Sequence, residues 1–203
     1  MQKMVTASAA VIGLTLVQTG LAEDAPLYDT YGNWSIRVDT SLDYGCFLFS
    51  EFEGGSVFRL GVDRTDGSVY VLVGNPDWKS IEFGKTYPVS MKFGDESPWS
   101  ADATGFSFDL PKDQPFLSVQ VAMNPETMGL FMAEFMEESS FQLFYRGSSV
   151  ANLSLKGSYA AAMKLFECQV EVNSALDQRD PFSDESDPFG EPSSKMVTDP
   201  FAS

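Results

Sequence analysis

Twenty-nine carboxylates, two cysteines and no histidine define the chemistry open to this chain. Without imidazole, Ser-His-Asp and Cys-His nucleophile activation are excluded, and so is nearly every catalytic zinc arrangement. What remains is carboxylate chemistry, a Ser–Lys pair, or binding without catalysis. Two acids facing each other across a cleft would make a glycan hydrolase, but no pair stands out among so many. A Ser–Lys hydrolase needs one serine beside Lys79, Lys92 or Lys156, and no spacing selects it. Asp63-Arg64-Thr65-Asp66-Gly67 echoes the start of a calcium loop, yet Gly74 stands where the bidentate Glu is required. We therefore expect no catalytic residue, no metal and no cofactor.

Cys46 and Cys168 are the whole cysteine complement. No C-x-x-C motif marks them as a redox pair, so a structural bridge is expected in an oxidising compartment. It would tie the front of the domain to its last element. Closing so long a loop stabilises by roughly 4–5 kcal/mol in the chain-entropy account.

Aromatic residues supply the binding candidates. Trp34 alternates with apolar neighbours and reads as core. Trp78 follows a turn and Trp99 lies in a polar loop, so these two are candidates for stacking on a sugar ring. Asp-Pro-Phe occurs three times near the C-terminus, at 180–182, 187–189 and 199–201. Proline stiffens each triplet and presents Phe182, Phe189 and Phe201 as weak binding points that a multivalent partner would sum. Similar triplets bind endocytic adaptors in eukaryotic cytosol, a compartment the N-terminus of this chain argues against.

Several elements must position these groups. Residues 1–22 read as a secretory signal peptide: Lys3 precedes an apolar run from Met4 to Val17, and Gly20 and Ala22 suit a cut before Glu23. Residues 23–30 read as a loose leader, 31–176 as one domain and 177–203 as a disordered acidic tail. Period-2 alternation recurs between turn residues, as in Phe58, Leu60, Val62 and in Val89, Met91, Phe93. This predicts a mainly β domain, an antiparallel β-sandwich. The all-apolar run Val69–Val73 predicts a strand buried on both faces.

Two short helices interrupt the strands. The first is expected at 125–138, capped by Asn124 with Pro125 in its first turn and Met128, Phe131, Met132, Phe135 and Met136 on one face. The second is expected at 158–172, with Ser158 as cap and Tyr159, Met163, Phe166 and Val170 as its buried face.

Trp34, Cys46, the stretch Leu153 to Ala161 and Cys168 together resemble the layout of the invasion-associated locus B family, or of related periplasmic proteins of alphaproteobacteria. The resemblance spans about residues 31–170 and excludes the acidic tail. It implies a periplasmic β-sandwich engaged in envelope or host interaction, and it supplies no catalytic residues.

The net charge of −16 repels phosphate backbones, so nucleic acid is excluded as a partner. No membrane span is expected once the signal is cut. These readings converge on a non-enzymatic periplasmic or secreted binding or envelope-interaction protein, with a protein or glycan partner. A carboxylate-dependent glycan hydrolase and a purely structural envelope component are the alternatives.

Overall fold

The computed structural model describes residues 25–108, 114–121 and 125–178. The expected signal segment, Asn124, and the triplets carrying Phe182, Phe189 and Phe201 lie outside the described residues. The described chain is mainly antiparallel β with two helices. Its strands are β1 (Leu27–Tyr31), β2 (Trp34–Asp39), β3 (Gly45–Glu51), β4 (Val57–Asp63), β5 (Ser68–Gly74), β6 (Thr86–Phe93), β7 (Trp99–Phe108), β8 (Gln114–Val121), β9 (Ser140–Tyr145) and β10 (Ser148–Ser154). The helices are α1 (Pro125–Glu137) and α2 (Ser158–Asp177).

All ten strands share one sheet, ordered β1-β2-β3-β4-β5-β8-β7-β6-β9-β10. Tight turns make the neighbouring pairs. Gly67 takes a φ of 74°, the left-handed conformation that the β4–β5 turn needs, and the Asp63 carboxylate accepts the Thr65 N–H at 2.9 Å. The two packed layers are parts of this one sheet, which curls back on itself. Phe58 on β4 meets Phe141 on β9 with ring centroids 5.1 Å apart, although four strands separate β4 from β9 in the sheet.

The inward side chains of alternating residues fill the space inside the curl, together with α1. Phe135 stacks on Phe58 at 5.7 Å, and Trp34 meets both rings edge-on. Phe131 stands edge-on to Phe93 at 5.0 Å. The expected apolar face of α1 is thus the one that packs: Phe131, Met132 and Phe135 are buried, with Met128 and Met136 half-buried beside them.

β5 is buried at every position, as its unbroken apolar run predicts. The reason is a second apolar cluster on the outer face, formed by Val57, Tyr70, Leu72 and Phe116. Phe47 and Arg59 are buried on this same side.

The disulfide joins Cys46 on β3 to Cys168 on α2, with the Cα atoms 6.2 Å apart. The Cys46 N–H also donates to the Gln169 side chain at 2.8 Å. This close attachment corrects the expected face of α2. Its buried residues are Ser158, Ala161, Ala162, Leu165 and Cys168. Tyr159, Met163, Phe166 and Val170 instead point outward. A helix held this near a sheet has room for alanine beneath it but not for a row of large side chains.

Three further boundaries shift. Ser158 is not the cap but the first helical residue; the cap position is Gly157, at φ 87°. β1 occupies part of the expected leader, and β7 begins at Trp99 within the expected loop. α2 continues five residues past the expected end at Val172, to Asp177. No helix among the described residues is long and apolar enough to cross a membrane.

Candidate functional site

A groove of about 1020 Å³ lies on the outer face of β7, β6 and β9. Strand alternation builds its floor. Tyr87, Val89, Met91 and Phe93 of β6 are buried, so Pro88, Ser90 and Lys92 must face outward. Antiparallel register sets their neighbours. Ser90 stands between Ser100 on β7 and Phe144 on β9, Pro88 opposes Asp102, and Lys92 opposes Gln142. Three strands at about 4.8 Å spacing give a floor roughly 10 Å wide, enough for one extended chain.

The walls come from two turns. Residues 94–98 follow β6 and bring Asp95, Glu96, Ser97 and Pro98 to the Lys92 end. The β9–β10 turn brings Arg146 and Gly147 to the other end, near Pro88 and Asp102. Arg146 has φ 51° and Gly147 φ 79°, the two positive values of a tight hairpin turn. For arginine this conformation costs on the order of 1–2 kcal/mol, whereas asparagine or glycine takes it readily. The chain therefore bears a backbone cost at Arg146, a residue that lines this end of the groove. Its Cζ stands 5.1 Å from the Tyr145 ring centroid.

The lining can both stack and hydrogen-bond. Phe144, half-buried, and Pro88 offer apolar surface; Ser90 and Ser100 offer hydroxyls; Lys92 and Arg146 donate; Asp102 accepts. Asp95, Glu96 and Asp102 are all exposed. A general acid of the glycosidase type instead relies on a desolvated site that holds its proton at neutral pH. Among the described residues no group of three or more acids or cysteines is placed to hold a metal ion.

Neither sequence-nominated tryptophan lines this groove. Trp78 is half-buried and packs against the main core. The Trp99 indole N–H donates to Glu134 on α1 at 2.6 Å, and its ring stands edge-on to Phe131 at 5.6 Å. Trp99 also lines a separate pocket of about 230 Å³, with Met91, Val121 and Phe131. Phe182, Phe189 and Phe201 lie outside the described residues.

Sequence reading missed Phe144, Pro88 and Arg146. The available signals were the outward positions of two amphipathic strands and an arginine before glycine in a short hairpin. Nothing local says that β6 lies between β7 and β9.

A smaller pocket of about 210 Å³ opens over the outer cluster, at Asp39, Arg59, Tyr70, Phe106 and Gln120. Two of its charged groups are engaged with each other: Arg59 pairs with Asp39, and its Nε donates to the Tyr70 hydroxyl at 2.7 Å.

No protein family, no curated protein and no solved structure matches this chain.

Proposed function

We propose that this is an exported, non-enzymatic binding protein that takes a segment of glycan in the β7-β6-β9 groove. The observation that carries the reading is Arg146, held on the rim in a backbone conformation that favours other residues. Strain of this kind persists where a side chain is required in place. An aromatic ring flanked by hydroxyls, three acids and two cations suits a sugar, whose ring has an apolar face and a hydroxyl-rich edge. Export is supported by the N-terminal signal pattern and by the Cys46–Cys168 disulfide, since such bonds persist in oxidising compartments. A periplasmic or secreted setting also agrees with the resemblance to the invasion-associated locus B family. Exposed acids in the groove favour binding over the hydrolase alternative.

The test is an array of neutral and charged glycans, followed by calorimetric titration of any hit. Phe144→Ala and Arg146→Ala should each weaken binding at least tenfold without changing the fold. Equal binding by both variants, or turnover of the bound glycan, would overturn the reading.

A further inference from the structure

α2 carries an apolar stripe that the fold leaves uncovered. Tyr159, Met163, Phe166 and Val170 are spaced four, three and four residues apart, so they lie along one side of the helix. They are 59, 43, 41 and 64 % exposed. The opposite side, Ala161, Leu165 and Cys168, is fixed to the sheet by the disulfide, so the stripe cannot rotate inward.

We propose that this stripe is the seat of the chain's own C-terminal segment, residues 179–203, through Phe182 and Phe189 of its Asp-Pro-Phe triplets. Two considerations select this occupant over a second copy. The first is area. From Tyr159 to Val170 the stripe is about 16 Å long on a helix about 10 Å wide, on the order of 200 Å² of face. A stable dimer needs about 600 Å² or more from each partner, so the stripe is too small for association between separate molecules. A segment on the same chain acts at an effective concentration in the mM range and needs far less contact.

The second is reach. α2 ends at Asp177, and the segment follows directly. At about 3.4 Å per residue, Phe182 reaches roughly 17 Å back from the helix end. At about 1.5 Å per helical residue, Val170 lies about 10 Å and Phe166 about 16 Å from that end. Phe189, with a reach of about 40 Å, extends past Met163 to Tyr159. Proline before each Phe lowers the ordering cost of docking. In this arrangement the triplets cover an apolar surface of their own chain, and any outside partner of the triplets competes with α2 for them.

Methyl NMR on the purified full chain tests this, with the Met163 methyl assigned through Met163→Leu. The expected result is nuclear Overhauser contact between that methyl and phenylalanine rings beyond its helix neighbour Phe166, lost in the full-length F182A/F189A/F201A variant. That variant touches no residue of the described fold, so loss of structure would not obscure the result. An identical Met163 environment in the wild-type and triple-variant chains overturns the proposal. So does contact that appears only between differently labelled molecules, in a sample that sediments as a dimer.

Discussion

The Arg59 guanidinium lies over the Phe47 ring, with its Cζ 3.6 Å from the ring centroid. This cation sits on the outer face of the curled sheet with only 6 % of its side chain exposed, against 16 % for its partner Asp39. Tyr70 closes the set, accepting from Arg59 Nε. The carboxylate also caps the short turn after β2, accepting from the Ser41 N–H and hydroxyl. Aromatic contact, hydrogen bonds and ion pair thus act on one buried charge. Their worth shows when one member is removed.

Asp39→Ala should cost about 3–5 kcal/mol, because it strands the buried guanidinium without its counter-charge. Arg59→Met should cost less, since it removes the buried charge and keeps much of the volume over Phe47. Urea unfolding of both variants measures the difference. An equal or larger loss for Arg59→Met would show that the ring contact, not the charge pair, holds this face.

The same cluster sets the pH dependence of stability. Burial alone would raise the Asp39 carboxyl, but the Ser41 hydroxyl and the Arg59 guanidinium outweigh it and hold the group below its ordinary value. A carboxyl depressed in the folded state contributes stability above its unfolded value near 3.8 and loses it as pH falls through the folded value. Tyr70 acts at the other end. Burial pushes it from 10.0 up to about 12, and it stays protonated in the folded chain. Stability should therefore decline between pH 10 and 12, where only the unfolded chain has lost that proton. Unfolding free energies across both ranges check this. Asp39→Asn should flatten the acid limb and Tyr70→Phe the alkaline one.

Arg146→Asn should separate stability from binding. Asparagine before glycine suits the β9–β10 turn, so this variant should gain about 0.5–1 kcal/mol in thermal or urea unfolding. It also removes the Arg146 side chain from the groove lining, so glycan binding should weaken. A variant that is less stable, or that binds as well as wild type, would remove Arg146 from the functional argument.

Reducing the Cys46–Cys168 bridge, or replacing both cysteines by alanine, should lower stability by up to about 4–5 kcal/mol, given a sequence separation of 122. Helix α2 should loosen before the strands, because the bond joins it directly to β3. Hydrogen exchange under reducing conditions resolves the order. Uniform loss of protection would show that α2 and the sheet unfold as one unit.

In the core, Phe135→Ala should cost about 3–5 kcal/mol, because the ring fills space between Trp34 and Phe58 that the curled sheet cannot close. Tryptophan fluorescence during unfolding, to which Trp34, Trp78 and Trp99 all contribute, measures the loss. A loss below 1 kcal/mol would mean that the sheet repacks around the gap.

Much of this fold is written in local pattern. Alternation at Val89, Met91 and Phe93 marks β6, and its outward partners Ser90 and Lys92 are the ones that floor the groove. The 3–4 spacing of Phe131, Met132 and Phe135 gives both α1 and the face it buries. For α2 the same rule fails, because two stripes compete. Size favours Tyr159, Met163, Phe166 and Val170; proximity to the sheet favours Ala161, Ala162, Leu165 and Cys168. The second wins because the bridge holds the helix where alanines and a single leucine fit but a row of large side chains does not.

The amino-acid sequence by itself determined a mainly antiparallel β chain with two helices, since those depend on periods of two and of 3.6 residues along a few turns of chain. It also limited the bridge to a single pairing, since there are only two cysteines to pair. Tertiary structure alone decided that the strands form one curled sheet and that β6 lies between β7 and β9. It also decided that Arg59 is buried while the stripe on α2 is not. Each of these turns on which distant residues become neighbours. That is set by strand order and by the space left between layers, and no local pattern of side chains encodes either.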